Sequence, residues 1–283
     1  TAGAFIAIAG ILGMVAPPVN IPAMIIGGGI DMPFVGFGAP LALLTFPLAI
    51  AFSWALGAGK ARPVDPAAAG TGPGEELYRR YGPRLFLPVL LVVALMVLGE
   101  AAPSAFGLGL PVTFLIGAAA ACLVGRRFNA LSAAKAAIGD ALPVLGILAG
   151  VGMFIQTMTL TGVRGFVVVG ALSVPPALLF AAIALTMPLF GAVSSFGAAS
   201  VLGVPFLLAL LGRDQVIAAS ALSLVAALGD FMPPTALSAL FAAQVVGVER
   251  YSLVLRKLLV PSLVVVLWAL AFIGFSTSIR GFL

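Results

Sequence analysis

The sequence contains no histidine and one cysteine, Cys122. Without histidine there can be no His-ligated haem, no His-based metal centre and no His-dependent triad. A single cysteine inside an apolar run builds no disulfide framework and implies no redox compartment. Charge is also scarce: 8% of the 283 residues are charged, against about a quarter in soluble domains. So few charges cannot cover the surface of a soluble fold of this length. No secretory signal pattern is visible. The chain begins at Thr1, already within an apolar stretch, and reads as a fragment, a processed product or one part of a split protein.

Apolar residues make up 62% of the chain, and the mean hydropathy is +1.25. Lipid is therefore the expected solvent, and a spanning helix needs about 20 apolar residues. The 34 glycines and 21 prolines are tolerated in membrane helices where protein or a water-filled cavity satisfies the freed backbone groups. The apolar runs are Gly3–Ile30, Val35–Leu56, Leu85–Gly99, Leu108–Gly125, Ala141–Leu160, Phe166–Leu172, Pro176–Leu211, Gln215–Val248 and Val254–Phe275. A polar stretch rich in Ala, Gly and Pro, Gly57–Arg84, separates the second from the third. The expected fold is an all-α, multi-pass membrane protein.

The net charge of +5 is concentrated in short loops. That suits inner-leaflet anchoring rather than nucleic-acid binding, which needs a basic face exposed to water. Lys60, Arg62, Arg79, Arg80, Arg84, Arg126, Arg127, Lys135, Arg250, Arg256 and Lys257 fall on one side, and Arg164, Arg213 and Arg280 on the other. The assignment closes if Pro176–Leu211 enters and leaves from the outer face as a re-entrant hairpin. Its 36 residues are also slightly short for two spans.

Two long apolar runs carry the same interruption. Gly13–Pro18 and Gly229–Pro234 both read Gly-x-x-x-Pro-Pro. A proline pair removes two backbone donors and its rings clash with the preceding turn. The helix must open before each pair, leaving carbonyls that cannot face hydrocarbon. On the charge-based topology the two interrupted segments run in opposite directions. Paired interruptions of this kind point to a transport site.

With those residues in view, the chain resembles the large membrane subunit of TRAP transporters (the DctM-like group), within the wider ion-transporter superfamily. The stretches that carry the likeness are Gly13–Pro22, Gly191–Ser200 as a hairpin tip and Gly229–Leu240. The order of hairpin, broken helix and final span is similar too. The resemblance implies two inverted repeats, each with a re-entrant hairpin and a broken helix. Residues 1–56 would be the end of the first repeat, with its broken helix, and 57–84 a cytoplasmic linker loop. Residues 85–283 would be the second repeat: a helical hairpin, a re-entrant hairpin at about 176–211, a broken helix at about 215–248 and a last span. Ser195 precedes Pro233 by 38 residues; the same spacing from Pro17 puts a first tip before Thr1, so the chain is expected to be N-terminally incomplete.

The resemblance implies elevator-like, cation-coupled uptake of small organic acids of the C4-dicarboxylate or sialic-acid type, in the cytoplasmic (inner) membrane of a bacterium or archaeon. It implies sodium as coupling ion with no other cofactor. A periplasmic solute-binding protein and a small membrane subunit are the implied partners. Asp230 stands where a neutral residue is more usual in the family, which leaves sodium and proton coupling both open. A stand-alone carrier of the superfamily and a non-transporting subunit of a membrane complex are the alternatives.

Half-helix N-termini attract carboxylates, and opened carbonyls and hydroxyls suit sodium. The candidate substrate residues are Ser194, Ser195, Pro233, Thr235 and Asn20. The candidate sodium residues are Gly13, Gly197, Gly229 and Asp230. An intramembrane carboxylate is a functional hypothesis by default; the plain alternative is that Asp230 caps the half-helix beginning near Thr235. Plain readings of the serines are close helix packing and back-bonding. Gln156, Thr157 and Thr159 read as interhelical bonding groups, and Trp54 and Trp268 as interface or packing aromatics. An enzyme is not expected. Gly229-Asp230 resembles part of the Gly-x-Gly-Asp pattern of intramembrane aspartyl proteases, but position 227 is Ala and no second mid-membrane Asp is evident, whereas that chemistry needs two carboxylates sharing a proton.

Overall fold

A computed structural model describes residues 2–32, 37–57, 73–102, 107–125, 129–195, 197–233, 236–248 and 250–282. Every regular element among them is helical. Among the described residues four helices are long and apolar enough to cross a membrane: Gly38–Gly57, Glu76–Gly99, Pro176–Ser194 and Tyr251–Gly274; a fifth is added if the pair Gly152–Leu160 and Val163–Leu172, bent by 85°, counts as one span. This is an all-α protein with membrane-embedded character.

The chain forms two compact units. Residues 61–145 make one, and residues 1–60 with 146–283 make the other. The smaller unit begins with α4, Pro73–Tyr81, and a 3-10 turn, Gly82–Phe86. Helices α5, Leu87–Ala101, and α6, Leu110–Val124, then pack as a hairpin. Gly117 sits where a side chain would collide with Val92. The Gly57–Arg84 stretch is thus not wholly a loop. Its last third is helical because Glu75 to Tyr81 combines helix formers with an amphipathic order, which a search for apolar runs passes over.

Helix α7 spans Ala130–Leu160 and α8 spans Val163–Leu172. The helix begins 11 residues before the apolar run at Ala141. Hydropathy reports where lipid begins, not where the backbone coils. Thr157 and Thr159 bond to the carbonyls of Met153 and Ile155 in their own helix rather than across helices.

In the larger unit, α1, Ala2–Val15, breaks before the cis Pro17–Pro18 bond and resumes as α2, Ile21–Gly28. Pro22 does not interrupt this run; it lies in the first turn of α2, where its missing N–H costs nothing. Helix α3 is Gly38–Gly57. Helix α9, Leu179–Ser194, follows a 3-10 turn at Pro176–Leu178. A π-helical turn, Ala199–Gly203, and α10, Val204–Ala209, form the returning arm. The two arms are unequal. Pro176–Ser194 passes for a span by itself, whereas Ala199–Ala209 is too short to cross. Helix α11, Gln215–Ala227, tightens into a 3-10 turn, Leu228–Phe231, and breaks before α12, Leu237–Val245. Helices α13, Tyr251–Gly274, and α14, Ser276–Arg280, close the chain.

The two broken segments lie side by side. A Cβ on Gly3, at the start of α1, would come 2.9 Å from Val254 and 3.1 Å from Val246, just past the end of α12. After the first break, Asn20 bonds Ser223 in α11. Helix α1 packs on α12, and α2 on α11. The segments therefore run in opposite directions. Helix α11 is buried along its length and forms the core against which α2, α3, α9 and α13 pack.

Candidate functional site

The site is built on two glycines. A Cβ on Gly229 would fall 2.5 Å from Gly191 Cα and 2.9 Å from the Ala192 nitrogen. A Cβ on Gly191 would fall 3.0 Å from the Ala226 carbonyl oxygen. No side chain fits between, so α9 and the 3-10 turn meet backbone to backbone. That approach decides what stands one turn further along α9. Ser195 ends the helix with its N–H donating to the Gly191 carbonyl at 2.6 Å, and its hydroxyl donates to Asp230 Oδ1 at 2.7 Å.

Both residues are buried, Ser195 to 3% exposure and Asp230 to 5%. Among the described residues Ser195 is the one hydrogen-bond partner of the Asp230 carboxylate, and no cation faces it. Ser195 has φ 50° and ψ −116°, a left-handed φ that costs a non-glycine residue about 1–3 kcal/mol and gathers at functional sites. Ala236, φ 40° and ψ 29°, holds a second left-handed position where α12 begins. The interrupted ends of two helices thus converge on one buried carboxylate.

The other expected residues divide around this pair. Ser194 points its hydroxyl back to the Phe190 carbonyl at 2.8 Å. Gly197 is buried at the start of the returning arm. Pro233 is exposed at the second break, while Thr235 and Pro234 lie outside the described residues. Asp230 does not cap α12, whose N-cap is Ala236 without a side-chain bond.

At the first break, Asn20 is fully buried and its amide is engaged at both nitrogen and oxygen. Its Nδ2 donates to the Val15 carbonyl at 3.0 Å and to Ser223 Oγ at 2.8 Å, and its Oδ1 caps α2 by accepting from Ala23 N at 2.8 Å. Ser223 in turn donates to Ser220 O. Asn20 is therefore a brace between the first break and α11. Ser223 precedes Asp230 by seven residues, roughly 10 Å of helix, and no hydrogen bond among the described residues links Asn20 or Gly13 to Asp230. Gly13 borders a separate apolar groove of about 220 Å³ between α1 and α3, lined by Phe5, Leu12, Phe46 and Phe52 among others. Its carbonyl and that of Met14 have no helical donor, since Pro17 and Pro18 lack N–H.

Sequence reasoning missed Ser223, and it placed Gly191 at the hairpin tip without its contact with Gly229. Ser223 carried no signal, because its partner lies 203 residues away. Comparison of the chain with protein-family models, with curated proteins and with solved structures finds no match.

Proposed function

We propose that this chain is the translocating core of a cation-coupled carrier for small organic acids, of the TRAP large-subunit type, working by elevator-like alternating access. The observation that carries the reading is the Ser195–Asp230 hydrogen bond, which joins the interrupted ends of α9 and α11 around a buried carboxylate. A buried carboxylate with a single hydroxyl partner is suited to hold a monovalent cation or a proton. Ser195, Asp230 and the adjoining carbonyls at Gly229 and Gly197 would form that site. The opposed directions of α1–α2 and α11–α12 support a repeat of inverted topology, the geometry on which alternating access is built. The returning arm, Ala199–Ala209, is too short to cross, which supports a re-entrant path for residues 176–211. The open half-helix ends would receive the carboxylates of the substrate.

The test is uptake of labelled C4-dicarboxylates and sialic acid into proteoliposomes containing this chain with any co-purifying subunits, with and without sodium or proton gradients. Gradient-dependent uptake is expected, abolished by Asp230→Asn. No gradient-dependent uptake of any organic anion would overturn the reading. Uptake that needs no solute-binding protein would move the chain from the TRAP branch to a stand-alone carrier.

A further inference from the structure

We propose that Arg79, Arg80 and Arg84, at the foot of α5, form a clamp for the headgroup of an anionic phospholipid. The three lie between α4 and the apolar span. Arg79 and Arg80 occupy the last turn of α4, and Gly82, at φ 62°, ends that helix and turns the chain. Arg84 falls in the 3-10 turn that leads into α5. All three are exposed, and none makes an ion pair among the described residues.

The surroundings select the ligand. Arg80 lies over the Tyr81 ring, its Cζ 5.7 Å from the centroid, which holds the guanidinium in a plane without neutralising it. The Tyr78 and Phe86 rings lie 6.3 Å apart across the Gly82 turn. Tyrosine with arginine at the end of an apolar helix marks the headgroup layer, and no residue in the apolar window of Glu76–Gly99 is fully buried within the protein. In the chain Glu76 lies about one helical turn before Arg79 and Arg80, on the side away from Gly82. Charge is thus sorted along α4, with the basic group nearest the turn into the apolar span. Guanidinium pairs bind phosphate oxygens bidentately. A zwitterionic headgroup would bring its own ammonium among three guanidinium groups, so phosphatidylglycerol is favoured over phosphatidylcholine.

The experiment is native mass spectrometry of the full chain, with any co-purifying subunits, titrated in detergent with phosphatidylglycerol or phosphatidylcholine. The expected result is preferential retention of phosphatidylglycerol that weakens with added salt. Each Arg→Gln change at 79, 80 or 84 should weaken it about fivefold. The three changes combined should abolish the preference, and if that variant fails to fold, Arg79→Gln and Arg84→Gln singly carry the test. Equal retention of the two lipids by the wild-type chain would overturn the proposal. So would unchanged affinity in both single variants.

Discussion

Ser195 and Asp230 stand 35 residues apart in the chain and 2.7 Å apart in the fold, the hydroxyl of one donating to the carboxylate of the other. Each closes a helix that stops in the protein interior. The contact exists because Gly191 and Gly229 allow two backbones to touch. A local rule of packing thereby positions the one carboxylate at the second break.

Two substitutions at Ser195 separate its hydroxyl from its backbone. Ser195→Ala removes the donor and keeps the left-handed φ. Losing one partner of a buried polar group costs about 1–3 kcal/mol, and the apparent affinity for the coupling cation should fall accordingly. Ser195→Gly removes the donor but also relieves the backbone, so it should unfold at a higher temperature than Ser195→Ala while showing the same transport defect. Melting curves in detergent beside uptake kinetics distinguish the two. Equal cation affinity in wild type and Ser195→Ala would remove Ser195 from the site.

The glycines make opposite predictions. Gly229→Ala would press a Cβ against Gly191 and Ala192 backbone atoms that cannot rotate away, and should destabilise by about 1–3 kcal/mol. Gly13→Ala meets nothing within 4 Å, lies in a helix and keeps its carbonyl. It should be neutral or stabilising by about 0.5–1 kcal/mol, with uptake unchanged. Thermal unfolding of the two variants side by side checks both. A stable, active Gly229→Ala would show that the backbone approach is not required.

Asn20 distinguishes a brace from a ligand. Asn20→Ala removes the cap of α2 and leaves the Val15 carbonyl unsatisfied, for a loss of about 2 kcal/mol. Because its hydrogen-bonding groups are all engaged within the protein, the substrate KM should not change. A double-mutant cycle with Ser223→Ala should give a coupling of about 0.5–3 kcal/mol. A large change in KM with unaltered stability would restore Asn20 to the substrate site.

The breaks were legible in the sequence because proline acts locally: it lacks a donor whatever the fold around it. The burial of Asp230 was legible for a similar reason, since it lies within a long apolar run. Its partner was only half legible. Ser194 and Ser195 are adjacent and chemically alike, and the end of α9 decides which one turns back to its helix and which reaches Asp230. Asn20–Ser223 and Gly191–Gly229 were illegible, as both depend on tertiary packing between distant segments. Helix α4 and the first 11 residues of α7 are not legible as apolar runs, because charged residues such as Arg79 and Arg80 in the one and Lys135 and Asp140 in the other interrupt them.

At the opposite end of α11 an ion pair gives the last prediction. Asp214 caps the helix, its Oδ1 accepting from Ile217 N at 3.0 Å, while its other oxygen pairs with Arg280 of α14. Arg213 donates to the Gly274 carbonyl at 2.6 Å, so the start of α11 is tied to the end of α13 as well as to α14. The two ion-pair partners are unequal. The Asp214 side chain is 5% exposed and that of Arg280 is 75% exposed. Solvent therefore takes over most of what Arg280 supplies, and Arg280→Gln should cost no more than about 1 kcal/mol. Asp214→Ala deletes the cap as well as the charge and should cost about 1–2 kcal/mol more. Because α11 leads into the 3-10 turn that carries Asp230, loosening its start should also raise hydrogen exchange along the helix. Equal melting temperatures for Asp214→Ala and Arg280→Gln would mean that the ion pair, not the cap, holds this end of the core.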